Sequence, residues 1–222
     1  MKPLAGRTDT LAQSDIRAIT ALVNAVDGIN LGQGICDLPT PEAVKAGVHR
    51  AIDEDRSIYT NYAGIRRLRE VILDKARTYN GIPAETNEHV MVSVGSTGAF
   101  VTAMMALVEP DDEVILFEPF YGYHRNLLRL ITPNVRVVRT HPPDWAVDFD
   151  ALEAAITERT KLLVITTPSN PSGKVWTRDE LGRVLGLMER HDLYAITDEI
   201  YEYMLYDGRE HVSLASLPGA YP

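Results

Sequence analysis

The sequence predicts an α/β protein built in α/β/α layers on a mostly parallel sheet, and three observations carry that expectation. Five short apolar runs rich in β-branched residues, Val90–Val94, Val114–Phe117, Val135–Val138, Leu162–Thr166 and Leu193–Thr197, have the length and continuity of strands buried on both faces. Segments of helical periodicity, Thr97–Leu107, Tyr121–Leu130, Asp150–Ala155 and Arg178–His191, lie between several of them. Strands that alternate with helices pair in parallel through crossovers, and no internal repeat or low-complexity tract breaks the alternation.

Ahead of this series the pattern is helical. Ile16, Ile19, Val23 and Val26 recur at helical spacing behind Ser14, a candidate N-cap. Thr40-Pro41 supplies a cap and a first-turn proline for a second helix reaching about Glu54. Ile65, Leu68, Val71 and Ile72 mark a third, stopped by Gly81 and Pro83.

Composition narrows the function classes. A net charge of −9 argues against a nucleic-acid surface or an anionic membrane, so any bound anion must be held by local geometry. A single cysteine, Cys36, permits no internal disulfide and fits a reducing compartment. The polar start, Met1 to Thr10, lacks a signal-peptide core, and the apolar stretch around Ala99 to Val108 is too short to span a bilayer. A cytoplasmic protein is expected.

The chemistry is written just past the ends of the strands. Val94-Gly95-Ser96-Thr97-Gly98 follows one run and opens a helix, where free N–H groups, the positive end of the helix dipole and two hydroxyls make an anion site; alone, such a turn is more often a plain cap. Glu118-Pro119-Phe120-Tyr121 ends the next run with aromatics, of which Phe120 is expected only to pack. Pro168-Ser169-Asn170-Pro171-Ser172-Gly173 and Asp198-Glu199-Ile200-Tyr201 follow the last two runs. In an open α/β sheet these positions line the ligand crevice. An amide (Asn170), a carboxylate (Asp198) and a phenol (Tyr201) around one crevice suit an electron-poor aromatic ring that carries a nitrogen and a phenolic oxygen.

In order and spacing these motifs resemble the large domain of the fold-type I pyridoxal-phosphate aminotransferases of classes I and II, from about Leu31 to Tyr206. The resemblance implies pyridoxal 5′-phosphate as cofactor. It places the phosphate on Ser96 and Thr97, the pyridine ring against Tyr121, the ring nitrogen on Asp198, and the phenolic oxygen on Asn170 and Tyr201, with a cis bond possible at Pro171. His124 falls where some relatives carry a histidine behind the aspartate; a lone histidine is otherwise commonly a solvated one. Gly34 resembles the turn that meets the substrate carboxylate, although Ile35-Cys36 replaces the usual aromatic–proline pair. Tyr59, preferred on spacing to Tyr62, matches the tyrosine that reaches a neighbour's cofactor phosphate, which implies a homodimer with shared active sites. No metal is implied.

The same resemblance calls for a Schiff-base lysine in a Ser-x-x-Lys stretch one strand beyond the aspartate. No lysine follows Asp198, and Lys2, Lys45, Lys75, Lys161 and Lys174 stand in no such context. The expectation is therefore an N-terminal arm and helix over residues 1–36, then a large domain over 37–222 that is incomplete at its C-terminus and inactive alone. The implied activity is transfer of an amino group from an L-amino acid, of aspartate, aromatic or kynurenine type, to a 2-oxo acid. Carbon–sulfur lyases, aminocyclopropane-carboxylate synthase-like enzymes and a non-catalytic cofactor-binding remnant share nearly all these residues and stay open. A nucleotide-binding domain is disfavoured because no Gly-x-Gly-x-x-Gly follows the first strand.

Overall fold

Four parallel strands carry the molecule: β1 (Glu113–Glu118), β2 (Val135–His141), β4 (Thr160–Thr166) and β5 (Tyr194–Asp198). The two-residue β3 (Ala146–Val147) adds an antiparallel edge, giving the order β3-β2-β1-β4-β5. The computed structural model describes residues 2–11, 15–34 and 36–221; Ser14, expected as a cap, and Ile35 lie outside them.

Helices α1 (Asp15–Ala25), α2 (Glu42–Asp53), α3 (Arg66–Thr78), α4 (Gly95–Leu107), α5 (Gly122–Leu128), α6 (Phe149–Ala155) and α7 (Arg178–His191) complete the order. Residues 12–65 form one compact unit, and residues 1–11 with 66–222 form the other. In the smaller unit, the side chain of Asn30 donates to Thr20 and accepts from the Gly32 N–H, folding the chain after α1 back onto it. Helix α2 starts after Pro41 rather than on it, and no side chain caps it.

In the larger unit the strand side chains alternate between two cores. Val114, Leu116, Leu162 and Val164 face Phe100 and Met104 of α4 and Leu128 of α5. Ile115, Phe117, Leu163 and Ile165 face Leu152 of α6 and Leu181, Val184 and Leu187 of α7. Helices thus cover both faces, which is why the strands read as continuous apolar runs. Because β2 and β4 flank β1 on opposite sides, the chain reverses direction across the sheet between β1 and β4. That switch point opens a crevice at the carboxyl ends of the strands.

One expected strand does not form. Val90–Val94 follows a short 3-10 turn (Asn87–His89) and has no ladder partner among the described residues. The Val90 carbonyl accepts instead from Arg69 Nε at 2.8 Å. Composition gives a run its β-propensity, but only a neighbour makes it a strand, and β5 is paired with β4 alone.

Candidate active site

Helix α4 begins at Gly95, whose φ of +67° a side chain would strain. The sharp turn sets Ser96 and Thr97 in the exposed first turn of a 13-residue helix, where the N–H groups lack intrahelical partners. Ser96 shares a cavity of about 270 Å³ with Asp198; Phe100, Ala103 and Ile196 form its apolar wall.

Asp198 ends β5 rather than following it. Its Oδ2 lies 3.1 Å from His124 Nε2 and its Oδ1 accepts from the Ile200 N–H at 3.2 Å. His124, on α5, is buried between rings: it stacks on Phe100 at 4.4 Å and meets Tyr121 edge-on at 5.4 Å. Burial, the largest influence on Asp198, raises its pKa; the His124 hydrogen bond, the Ile200 N–H and the charge of His124 together outweigh it, so the carboxyl titrates below its ordinary value. The pair keeps a carboxylate ionised where solvent is scarce. The sequence left His124 between a solvated and a cofactor-supporting role; the structure buries it on Asp198.

Asn170 stands at the tip of a loop tied at its base. The Thr167 N–H donates to the Asp198 carbonyl (3.0 Å), the Trp176 N–H to Thr167 Oγ1 (3.1 Å), and the Ser169 N–H to the Lys174 carbonyl (2.8 Å). The Asn170–Pro171 bond is cis, and Gly173 takes φ +71° to close the turn. Since Thr166 is the register partner of Asp198, Asn170 projects from the strand next to the carboxylate. Tyr201 lies half-buried in the turn after β5, closed by Glu202 N–H to the Glu199 carbonyl (3.0 Å) and Met204 N–H to the Tyr201 carbonyl (2.7 Å).

Ser96, Tyr121, Asn170, Asp198 and Tyr201 therefore all belong to the carboxyl-end rim of one sheet. Gly34 and Tyr59 belong to the smaller unit, where Tyr59 is fully exposed. Lys45, Lys75, Lys161 and Lys174 each pair with a carboxylate, and no lysine lines the cavity shared by Ser96 and Asp198. Glu199 is half-buried against His211 and Ser213, on the side away from His124. No local pattern in the sequence announces that contact.

The donor set fits pyridoxal phosphate. Hydroxyls at a helix N-terminus suit its phosphate, an ionised buried carboxylate its pyridinium, and an amide and a phenol its ring oxygen. The comparisons with known proteins agree. A family model described as aminotransferase class I and II matches residues 26–221. The chain is 36% identical to human kynurenine–oxoglutarate transaminase 1, covering 89% of this chain and 50% of that protein. It is also 36% identical to the aspartate/prephenate aminotransferase of Thermus thermophilus, covering 96% and 56%. Among solved structures, the N-succinyldiaminopimelate aminotransferase of Mycobacterium tuberculosis superposes with a TM-score of 0.92 at 32% identity, over 98% of this chain and 57% of that one. The chain spans about half the length of the curated relatives it matches.

Proposed function

The chain belongs to the class I and II aminotransferases, a pyridoxal-phosphate family, and on that premise we propose that its protein moves an amino group from an L-amino acid to a 2-oxo acid. The observation that carries this reading is the His124–Asp198 pair at the carboxyl end of β5, an ionised carboxylate held in a largely buried place. When bound, pyridoxal phosphate supplies a ring that accepts the electrons left on the substrate's α-carbon once its proton is removed.

The chain's own residues hold and bias that ring. Asp198 would keep the pyridine nitrogen protonated, and His124 on Oδ2 together with the Ile200 N–H on Oδ1 fixes how the carboxylate is presented to it. The amide of Asn170 and the hydroxyl of Tyr201 would donate to the phenolic oxygen. Ser96, Thr97 and the first N–H groups of α4 would take the phosphate. Tyr121, already edge-on to His124, would cover one face of the ring and exclude water from it.

Gly34 would meet the substrate carboxylate, and Tyr59 would reach the phosphate of a second copy, making a homodimer with shared sites. The names of the relatives, for kynurenine, aspartate or prephenate, support an amino acid of aspartate, aromatic or kynurenine type. The lone cysteine and the lack of any described helix long and apolar enough to cross a membrane support a cytoplasmic setting. The test is an assay of the protein made from its complete gene, with pyridoxal phosphate, 2-oxoglutarate and a panel of L-amino acids. Formation of the matching 2-oxo acids, lost by a factor on the order of 10² or more in Asp198→Ala, is expected; no 2-oxo acid from any amino acid would overturn the reading.

A further inference from the structure

A second hydrogen-bonded cluster backs the strand end that carries Asp198. Successive side chains along an extended segment point to opposite sides. Asp198 turns to His124; Glu199 turns away, its Oε2 2.8 Å from His211 Nε2 and its Oε1 accepting from Ser213 Oγ at 2.9 Å. The His211 side chain is 4% exposed and that of Glu199 14%. Three residues on, Glu202 accepts from Lys75 Nζ at 2.6 Å and from Asn80 Nδ2 at 2.7 Å, and Tyr203 packs on Tyr79 with centroids 4.6 Å apart. Tyr201 sits between these two anchors.

Glu199, Glu202 and His211 bring three potential ligand atoms within 4.8 Å of one another, yet the cluster is not built as an ion cage. Both oxygens of each glutamate already have donors, and the Lys75 ammonium supplies the compensating cation. His211 Nδ1 is buried with no hydrogen-bond partner among the described residues, so the network carries a cost as well as a gain in stability. What the cluster does is fix the turn between Asp198 and Glu202 from behind.

We propose that Glu199 and His211 are positioning residues, locking the strand end so that the Asp198 carboxylate stays on His124 and the Tyr201 turn keeps its place beside it. The inference rests on the reading of Asp198 and Tyr201 as cofactor ligands. Groups of that kind must be held to a fraction of an ångström, and a turn closed by two backbone hydrogen bonds alone does not supply such precision.

The test compares Glu199→Leu, which removes both hydrogen bonds, with Glu199→Gln, which keeps an acceptor, and with Leu187→Ala, a core truncation on α7. The first readout is the ring-nitrogen NMR spectrum of His124 without cofactor, calibrated by Asp198→Asn. The second is the dissociation constant for pyridoxal phosphate. Glu199→Leu is expected to move the His124 signal toward that of Asp198→Asn and to weaken binding about fivefold or more. Glu199→Gln should restore both to within about twofold, and Leu187→Ala should leave the His124 signal in place. An unchanged His124 signal in Glu199→Leu, or the same displacement in Leu187→Ala, overturns the proposal. If Glu199→Leu does not fold, Ser213→Ala is read by the same two criteria. Wild-type protein that ignores pyridoxal phosphate would sink the cofactor reading, while the His124 signal would still decide the positioning claim.

Discussion

His124 on α5 and Asp198 at the end of β5 meet at 3.1 Å with both side chains largely out of solvent, at 5% and 14% exposure. The pair joins a crossover helix to a strand end at the rim of the sheet, and it favours the ionised form of the carboxylate there.

Replacing His124 by Phe tests that statement. The substitution removes two of the influences that lower the Asp198 pKa and leaves burial, the largest, which raises it. The Asp198 carboxyl is expected to titrate above its ordinary value, read by carbon-13 NMR. In the wild type, a depressed folded-state pKa means that the group stabilises the fold above its ordinary value and that this contribution fades as pH falls through the folded one. In His124→Phe the sign reverses, and the same carboxylate opposes folding at neutral pH.

Ser96→Ala combined with Thr97→Val probes the helix N-terminus. Binding of pyridoxal phosphate should weaken about tenfold, whereas pyridoxal, which lacks the phosphate, should bind within about twofold of the wild type. Equal losses for both ligands would place the phosphate elsewhere.

Glu113 governs acid stability at the other end of the sheet. Its side chain is 2% exposed and bonded to Arg136, Arg159 and Thr157. The Arg136 hydrogen bond leads, against burial, in lowering its pKa to about 2. This contribution is fully present above the ordinary glutamate range near 4.5 and is lost as pH falls toward about 2. The arginines are 43% and 61% exposed, so salt screens part of it. Glu113→Gln should cost on the order of 2 kcal/mol at neutral pH and flatten the acid limb, as measured by urea unfolding across that range.

Glu180 does two jobs at the start of α7. It completes a capping box with Thr177, and its Oε1 lies 2.6 Å from Lys174 Nζ, a side chain only 6% exposed. Thr177→Ala should cost about 1 kcal/mol, the usual value of a cap. Glu180→Ala should cost about 3 kcal/mol, because it leaves a buried ammonium unpaired. Equal losses in thermal unfolding would mean that the ion pair is worth little.

Much of this was legible in the sequence because its determinants are local. A buried parallel strand reads as an apolar run, and the polar groups at its carboxyl end stand out, so Asn170 and Asp198 could be singled out from position, whereas the choice of Tyr121 among its neighbouring aromatics came from the family resemblance. Val90–Val94 has the same composition but no neighbour to pair with, and pairing is not a local property. The two residues of β3 are too short to leave a period, and only the Pro142-Pro143 turn before them hints at a reversal. The Glu199–His211 contact spans irregular chain, where neither helical nor strand spacing predicts which side chains meet.

The most direct measurement of the central claim is a titration of pyridoxal phosphate into the wild-type protein and Asp198→Ala, followed by cofactor absorbance. Saturable binding by the wild type, weakened about tenfold or more by the substitution, is the predicted result. Identical curves for the two proteins would contradict a site built around Asp198.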